Sequence, residues 1–324
     1  MKKLYFITGS QDLYGEATLA QAAADAKEMV AYLGEKLADI AEVEVKPVVR
    51  NSAEALEICA AAGTDSACIG VIMWMHTFSP AKMWISALKA LRKPMLHLHT
   101  QYNERLPYES IDMDFMNLNQ SAHGDREFGF ICTRLGIKRE VVAGYYKHAD
   151  VIEKIRRFAQ AASAVDFGRG MRVAMFGSNM RDVAVTDADR VECEIKYGWN
   201  VNYYGIGDLC DVISEVTEAE TDAKMAEYAE KYAMNTDNTA AVREQAKYEV
   251  ALDKFLAREN ISAFTDTFQD LHGLEQLPGL AAQNIMAKGY GFGPEGDCKT
   301  AALAAVLGKL AEGREGATGF LEDY

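Results

Sequence analysis

The sequence predicts an α/β protein made of two successive domains, each built on a mainly parallel sheet. Three observations carry that expectation. Strand-like and helix-like segments alternate with short connections. Cys68–Trp74 is almost continuously apolar, as a strand covered on both faces would be. The alternation then starts afresh after a break at Asp166-Phe167-Gly168-Arg169-Gly170. Strand, helix, strand at these lengths implies right-handed crossovers of the Rossmann-like kind, with ligands beyond the carboxyl ends of the strands.

Taken in order, Leu4–Thr8 reads as a first strand running into Gly9-Ser10-Gln11-Asp12. Thr18–Leu37 has helical spacing, with Leu19, Ala22, Ala26, Val30, Leu33 and Leu37 on one side. Val43–Val49 is a second strand, and Ser52–Ala61 a helix with Ser52 as its N-cap. After Cys68–Trp74, a helix is expected over Pro80–Leu91, its proline in the first turn, and a strand over Met95–His99. Three loops then fall at carboxyl ends of strands: Gly9–Gly15, His76–Ser79 and Thr100–Asn103. A long helix over His148–Ala164 closes the first domain (1–166). The second (167–315) opens with a strand at Arg172–Phe176 and a turn at Gly177-Ser178-Asn179. It continues with polar helices over Glu218–Ala233 and Ala240–Arg258, a strand at Ser262–Thr265, and helices at Leu277–Lys288 and Thr300–Leu310. No internal sequence repeat is visible.

Composition excludes several classes. The chain has 324 residues and carries 34 basic against 48 acidic side chains, a formal charge of −14 that repels nucleic acid and anionic membrane. No run approaches the roughly 18 apolar residues of a membrane span, and the apolar start Leu4–Ile7 is cut short by Thr8-Gly9-Ser10, so a cytoplasmic protein is expected. Its six cysteines are scattered, with no Cys-x-x-Cys pair, as reduced thiols would be. The dinucleotide, P-loop and nucleophile-elbow motifs are missing.

What remains is a set of polar segments at strand ends. Gly9-Ser10-Gln11-Asp12-Leu13-Tyr14-Gly15 offers amide, carboxylate and phenol groups that suit a polyhydroxylated ligand, although any one of them could be a solvated turn residue. Trp74-Met75-His76-Thr77-Phe78-Ser79-Pro80 sets aromatics beside a polar tip, with Trp74 the better core residue. Met113–Gly124, ending in Gln120-Ser121-Ala122-His123-Gly124, has neither helical nor strand period and reads as an irregular binding loop or subunit contact. Gly289–Thr300 surrounds Glu295 with flexible backbone before a helix whose natural N-cap is Asp297. Glu322 is, by composition, an acid in a tail.

These segments together resemble the L-arabinose isomerase family. The resemblance runs through Gly9–Gly15, His76–Trp84, Asp112–Gln120, Glu127–Phe130, Asn179–Asp187, Asp270–Leu274, Glu295–Asp297, Lys299–Ala302 and Glu322–Tyr324, covering nearly the whole chain in order. It implies a fucose/arabinose isomerase-like fold and interconversion of L-arabinose and L-ribulose, with D-galactose to D-tagatose as a side activity. It further implies Mn²⁺, with other divalent cations admissible, held by two glutamates and two histidines. The glutamates match Glu295 and Glu322, which are also the expected catalytic pair. Gln11, Leu13, Phe78 and Phe268 would line the sugar site, while Gln120 and His123 would serve a neighbouring subunit in a homo-oligomer, a hexamer by resemblance. Two departures follow. None of the histidines at 76, 97, 99, 123, 148 and 272 sits in the family's ligand motif, so 316–324 is expected to begin a further domain that carries them, and this stretch alone to be inactive or nearly so. Cys298 stands where the family usually has tryptophan. A non-catalytic sugar-binding module and one half of a split isomerase are the alternatives.

Overall fold

The computed structural model describes residues 1–316, 318 and 319. Contacts divide the chain into two compact units, Met1–Ser163 and a second from Ala164 onward.

The first unit runs β1 (Lys3–Thr8), α1 (Gly15–Leu37), β2 (Glu42–Val45), α2 (Ser52–Thr64), β3 (Cys68–Trp74), α3 (Ile85–Ala90), β4 (Met95–His99), α4 (Met113–Leu118), α5 (Ser121–Arg134), β5 (Glu140–Ala143) and α6 (Ala149–Gly168). All pairings in its sheet are parallel, in the order β2-β1-β3-β4-β5. Because side chains alternate across a strand, Leu4 and Phe6 of β1 face a core with Met29 and Leu33 of α1 and Ile155 of α6. Tyr5 and Ile7 face the other core, with Cys59 of α2, Leu88 of α3 and Phe128 of α5. Every residue of β3 is buried, as its unbroken apolar run requires.

The second unit runs β6 (Arg172–Phe176), α7 (Arg190–Tyr197), β7 (Asn200–Tyr204), α8 (Ile206–Ser214), α9 (Glu218–Lys231), α10 (Thr239–Arg258), β8 (Ile261–Asp266), α11 (Gly279–Ala287), β9 (Gly291–Phe292) and α12 (Cys298–Leu310). Its sheet is also wholly parallel, ordered β7-β6-β8-β9. Phe176 packs with Leu252 and Phe255 of α10 on one face, and Val173 and Met175 with Ala301 and Ala305 of α12 on the other.

Several expectations need correction. Met113–Gly124 is not an irregular loop: α4, capped by Asp112 accepting from the Phe115 amide at 2.8 Å, is followed at once by α5. α4 buries no residue, so nothing in its sequence enforces an apolar period. The helix expected at Pro80–Leu91 is a short 3-10 turn (Ala81–Trp84) followed by α3. β2 stops at Val45, ahead of Pro47, although Val49 still donates its amide to the Thr8 carbonyl at 2.9 Å. The break at 166–170 is partly helical, because α6 continues to Gly168. α10 is not simply a polar helix; Tyr248, Leu252, Phe255 and Leu256 form a buried stripe. β9 is only two residues long, and its Gly291 is required, since a Cβ there would lie 2.0 Å from the Ala301 carbonyl oxygen.

Candidate functional site

In each sheet the winding direction reverses beside one strand pair, β1/β3 in the first and β6/β8 in the second. Loops leaving such a pair part above the sheet and open a crevice there. Gln11, Leu13 and Phe78 lie on the loops after β1 and β3 and Phe268 on the loop after β8, whereas Gln120 and His123 lie at the start of α5 and Glu295 follows β9.

In the first unit, the loop after β1 carries Gln11 and Leu13, the latter 83% exposed, and leads into a short 3-10 turn (Asp12–Tyr14). The Tyr14 hydroxyl donates to Gln120 Oε1 at 3.1 Å. After β3, Phe78 meets the His123 ring edge-on at 4.6 Å between centroids. The Gln120 amide (3.1 Å) and Ser121 hydroxyl (3.2 Å) both donate to the His76 carbonyl, seating the start of α5 on the β3 loop. Gly124 makes that approach possible: a Cβ would lie 2.9 Å from the Thr77 carbonyl oxygen. The structure therefore brings Tyr14, Phe78, Gln120 and His123 together, with Gln11 and Leu13 on the adjoining turn.

Under this cluster lies a pair that the sequence reading missed. His76 is fully buried and its Nε2 is 2.7 Å from Asp25 Oδ2, on α1, while its ring stacks on Trp74 at 4.2 Å. The available signal was Asp25 itself, a carboxylate on the same helical face as the apolar Ala22 and Met29.

In the second unit, Phe268 follows β8 and is 46% exposed. Glu295 follows β9 with φ of 65°, left-handed for a residue that rarely adopts it. Hydrogen bonds around it hold the loop there: Gly296 N donates to the Asp266 carbonyl at 2.7 Å, Met180 N to the Glu295 carbonyl at 3.3 Å, and the Asn179 side-chain Nδ2 to the Gly296 carbonyl at 3.0 Å. Asp270 takes the Ser178 hydroxyl at 2.7 Å. The loops after β6, β8 and β9 are thus tied to one another, and burial pushes the Asp266 carboxyl up to about 6. Asp297 caps α12, accepting from the Lys299 and Thr300 amides at 3.0 Å. Cys298 is fully buried beneath it among small side chains. Glu322 lies outside the described residues.

A carboxylate is a ligand type that hard divalent ions take, and Glu295 supplies one. Among the described residues, the single group of three side chains placed so that they could hold a metal is elsewhere: His97, His99 and Asp125, in the first unit. They are hydrogen-bonded in series, with His97 Nε2 2.8 Å from Asp125 Oδ1 and His97 Nδ1 2.9 Å from His99 Nε2. Burial raises the Asp125 carboxyl to about 8 and lowers His97 to about 2. The Arg139 guanidinium disfavours a second positive charge on His97, as it does on His99.

Two parallel α/β units, each wound in both directions from one strand pair, define an α/β protein of the doubly wound class. The sequence profile described as the L-arabinose isomerase N-terminal domain matches residues 1–169, and that of the central domain matches 172–313. The chain belongs to the L-arabinose isomerase family. It is 53% identical over 323 residues to an L-arabinose isomerase of Shouchella clausii, covering 99% of this chain and 66% of that protein. It is 48% identical over 324 residues to one of a Thermotoga species, with 99% and 65% covered, and 49% identical over 328 residues to one of Geobacillus thermodenitrificans, with 99% and 66% covered. The chain thus spans slightly less than two thirds of the length of these curated relatives. Among the described residues no helix is long and apolar enough to cross a membrane.

Proposed function

We propose that this chain is the sugar-handling portion of a cytoplasmic aldose–ketose isomerase that interconverts L-arabinose and L-ribulose, with D-galactose and D-tagatose as a further pair. The observation that carries the reading is the match, over 99% of the chain, to relatives named L-arabinose isomerase. The clustering of Tyr14, Phe78, Gln120 and His123 at the first switch point supports it.

Gln11 offers an amide that can both donate to and accept from sugar hydroxyls, and Leu13, Phe78 and Phe268 offer apolar surface to the C–H faces of the chain. Gln120 and His123 are assigned to the site of a neighbouring subunit in a homo-oligomer. Assembly is supported by exposed apolar side chains one turn apart, Val191 and Ile195 on α7 and Leu303 and Leu307 on α12. Glu295, with Glu322, would hold a divalent cation, Mn²⁺ by preference, which when bound polarises a carbonyl and orients adjacent oxygens. Aldose–ketose exchange moves one proton between neighbouring carbons, and a carboxylate can carry it. The left-handed backbone at Glu295 supports this assignment, because strain retained in a loop marks a position selected for something other than stability.

Calorimetric titration of the chain with L-arabinose, with and without Mn²⁺, tests the reading. Binding should tighten with Mn²⁺ and weaken by about tenfold, one strong hydrogen bond's worth, in Gln11→Ala. Sugar binding that ignores both the metal and Glu295 would favour the non-catalytic binding module instead.

A further inference from the structure

The carboxyl end of β4 carries metal-ligand side chains that the switch-point loops do not use. His97 and His99 lie two residues apart in the strand, so they share one face of it. The buried stripe of α5, through Gly124, Asp125, Phe128 and Cys132, covers that face. Phe128 meets the His97 ring edge-on at 4.8 Å between centroids, and Asp125 Oδ1 lies 2.8 Å from His97 Nε2. One donor atom from each of His97, His99 and Asp125 lies within 4.8 Å of the other two.

The order of the three decides their roles. The His97 ring stands between its partners, with Nε2 on Asp125 and Nδ1 2.9 Å from His99 Nε2. An ion bound about 2.1 Å from each of the two facing nitrogens would see them at roughly a right angle, which suits a divalent ion. Asp125 then acts from behind, as the carboxylate that fixes the ring of a metal-binding histidine and raises its basicity. Burial keeps His97 neutral, the form in which imidazole ligates. His97 and Asp125 are buried, but His99 is only partly so, and its ring lines a pocket that also holds the Glu104 carboxylate. The His99 side is therefore the way in, and the net charge of −14 favours a cation. One group opposes it: the Arg139 guanidinium is near enough to disfavour positive charge on both rings.

We propose that His97 Nδ1 and His99 Nε2 form a binding site for a divalent transition ion of the zinc class, with Asp125 as the residue that positions His97. Two imidazoles favour such ions over Mn²⁺, so the site differs from the Glu295 loop in the ion it takes. A hydrogen-bonded series that takes no ion predicts the opposite result at each step of the test.

The test titrates Zn²⁺ into the isotope-labelled full chain and follows the histidine ring signals by NMR, with His99 assigned through His99→Phe. It is run in Glu295→Gln, so that its outcome stands apart from the fate of the metal-assisted isomerase reading. The His97 and His99 signals should move together and saturate, with half-effect on the order of tens of micromolar, far weaker than a four-ligand structural site. The His76 signals, held by Asp25, should stay in place as a check on the fold. His99→Phe should weaken the binding about tenfold or more, and so should Asp125→Asn, which keeps the shape behind His97 but not the charge. Arg139→Met should tighten it about tenfold, since it removes the opposing charge. Mn²⁺ at the same concentration should neither move nor broaden the two signals. The proposal is overturned if Zn²⁺ leaves His97 and His99 unmoved, or if the binding survives unchanged in His99→Phe and so belongs to other side chains. It is equally overturned if Arg139→Met binds no more tightly, or if Mn²⁺ acts as Zn²⁺ does.

Discussion

The two sheets share a winding order, β2-β1-β3 continuing to β4 in one and β7-β6-β8 continuing to β9 in the other, yet the buried carboxylates that hold side-chain partners are paired differently in the two units. In the first unit, carboxylates are buried against imidazoles: Asp25 on His76 at 2.7 Å and Asp125 on His97 at 2.8 Å. In the second, Glu249 of α10 is fully buried and holds full charges around it, Lys288 at 2.8 Å and Lys224 at 3.1 Å, with Tyr228 and Asn284 completing its partners. Topology thus places the loops at the strand ends, while the local residues decide what those loops present. The first unit offers amides and aromatics; the second offers a carboxylate on a strained loop.

Breaking the second unit's network should have the largest effect. Glu249→Ala leaves Lys224 and Lys288 without their shared carboxylate and should cost about 3 kcal/mol of stability, read by denaturant unfolding. An equal loss in Asp125→Asn at neutral pH would erase the contrast between the units, because the amide keeps the shape and still bonds His97.

The next effect is a pH dependence peculiar to the first unit. Burial raises Asp125 from 3.8 to about 8 and lowers His97 from 6.5 to about 2. Between pH 3.8 and 6.5 the folded pair keeps one proton on Asp125 while the unfolded chain carries it on His97, so the two contributions cancel. Above 6.5 the unfolded chain holds neither proton and the folded state still holds one, so stability falls as pH rises towards 8. Thermal unfolding across that window should show a loss of about 2 kcal/mol, flattened in Asp125→Asn. A parent chain with no alkaline decline would mean that the pair is not the neutral one described.

The smallest effect has the opposite sign. Asn accepts left-handed backbone more readily than Glu does, so Glu295→Asn should stabilise the second unit by about 0.5–1 kcal/mol. No gain in its melting temperature would remove the argument that strain marks Glu295.

Much of the fold was legible because its signals were local. β3, β4 and β6 were placed to the residue by apolar runs with clear ends, and Asp297 announced itself as a cap. α4 and α5 were illegible as helices because α4 buries nothing and Gln120 interrupts the pair. β9 was hidden in a glycine-rich stretch whose meaning, the close seating of α12, appears only in three dimensions. At the site, Gln11, Phe78, Gln120 and His123 were named from the sequence. The contacts that gather this cluster, Tyr14 to Gln120 and Phe78 to His123, span 106 and 45 positions, which no local pattern reports. Asp25 was legible in principle, as a carboxylate in an apolar stripe, and the series Asp125, His97, His99 was not.

The most direct measurement is Mn²⁺ binding to the chain, followed by loss of the free-ion signal in electron paramagnetic resonance, with Glu295→Gln beside it. The account predicts that the parent chain binds Mn²⁺ and that the variant, having exchanged a charged ligand for a neutral one, binds about tenfold or more weakly. Equal binding by the two chains would contradict the assignment of Glu295 and, with it, the metal-assisted isomerase reading of the second unit.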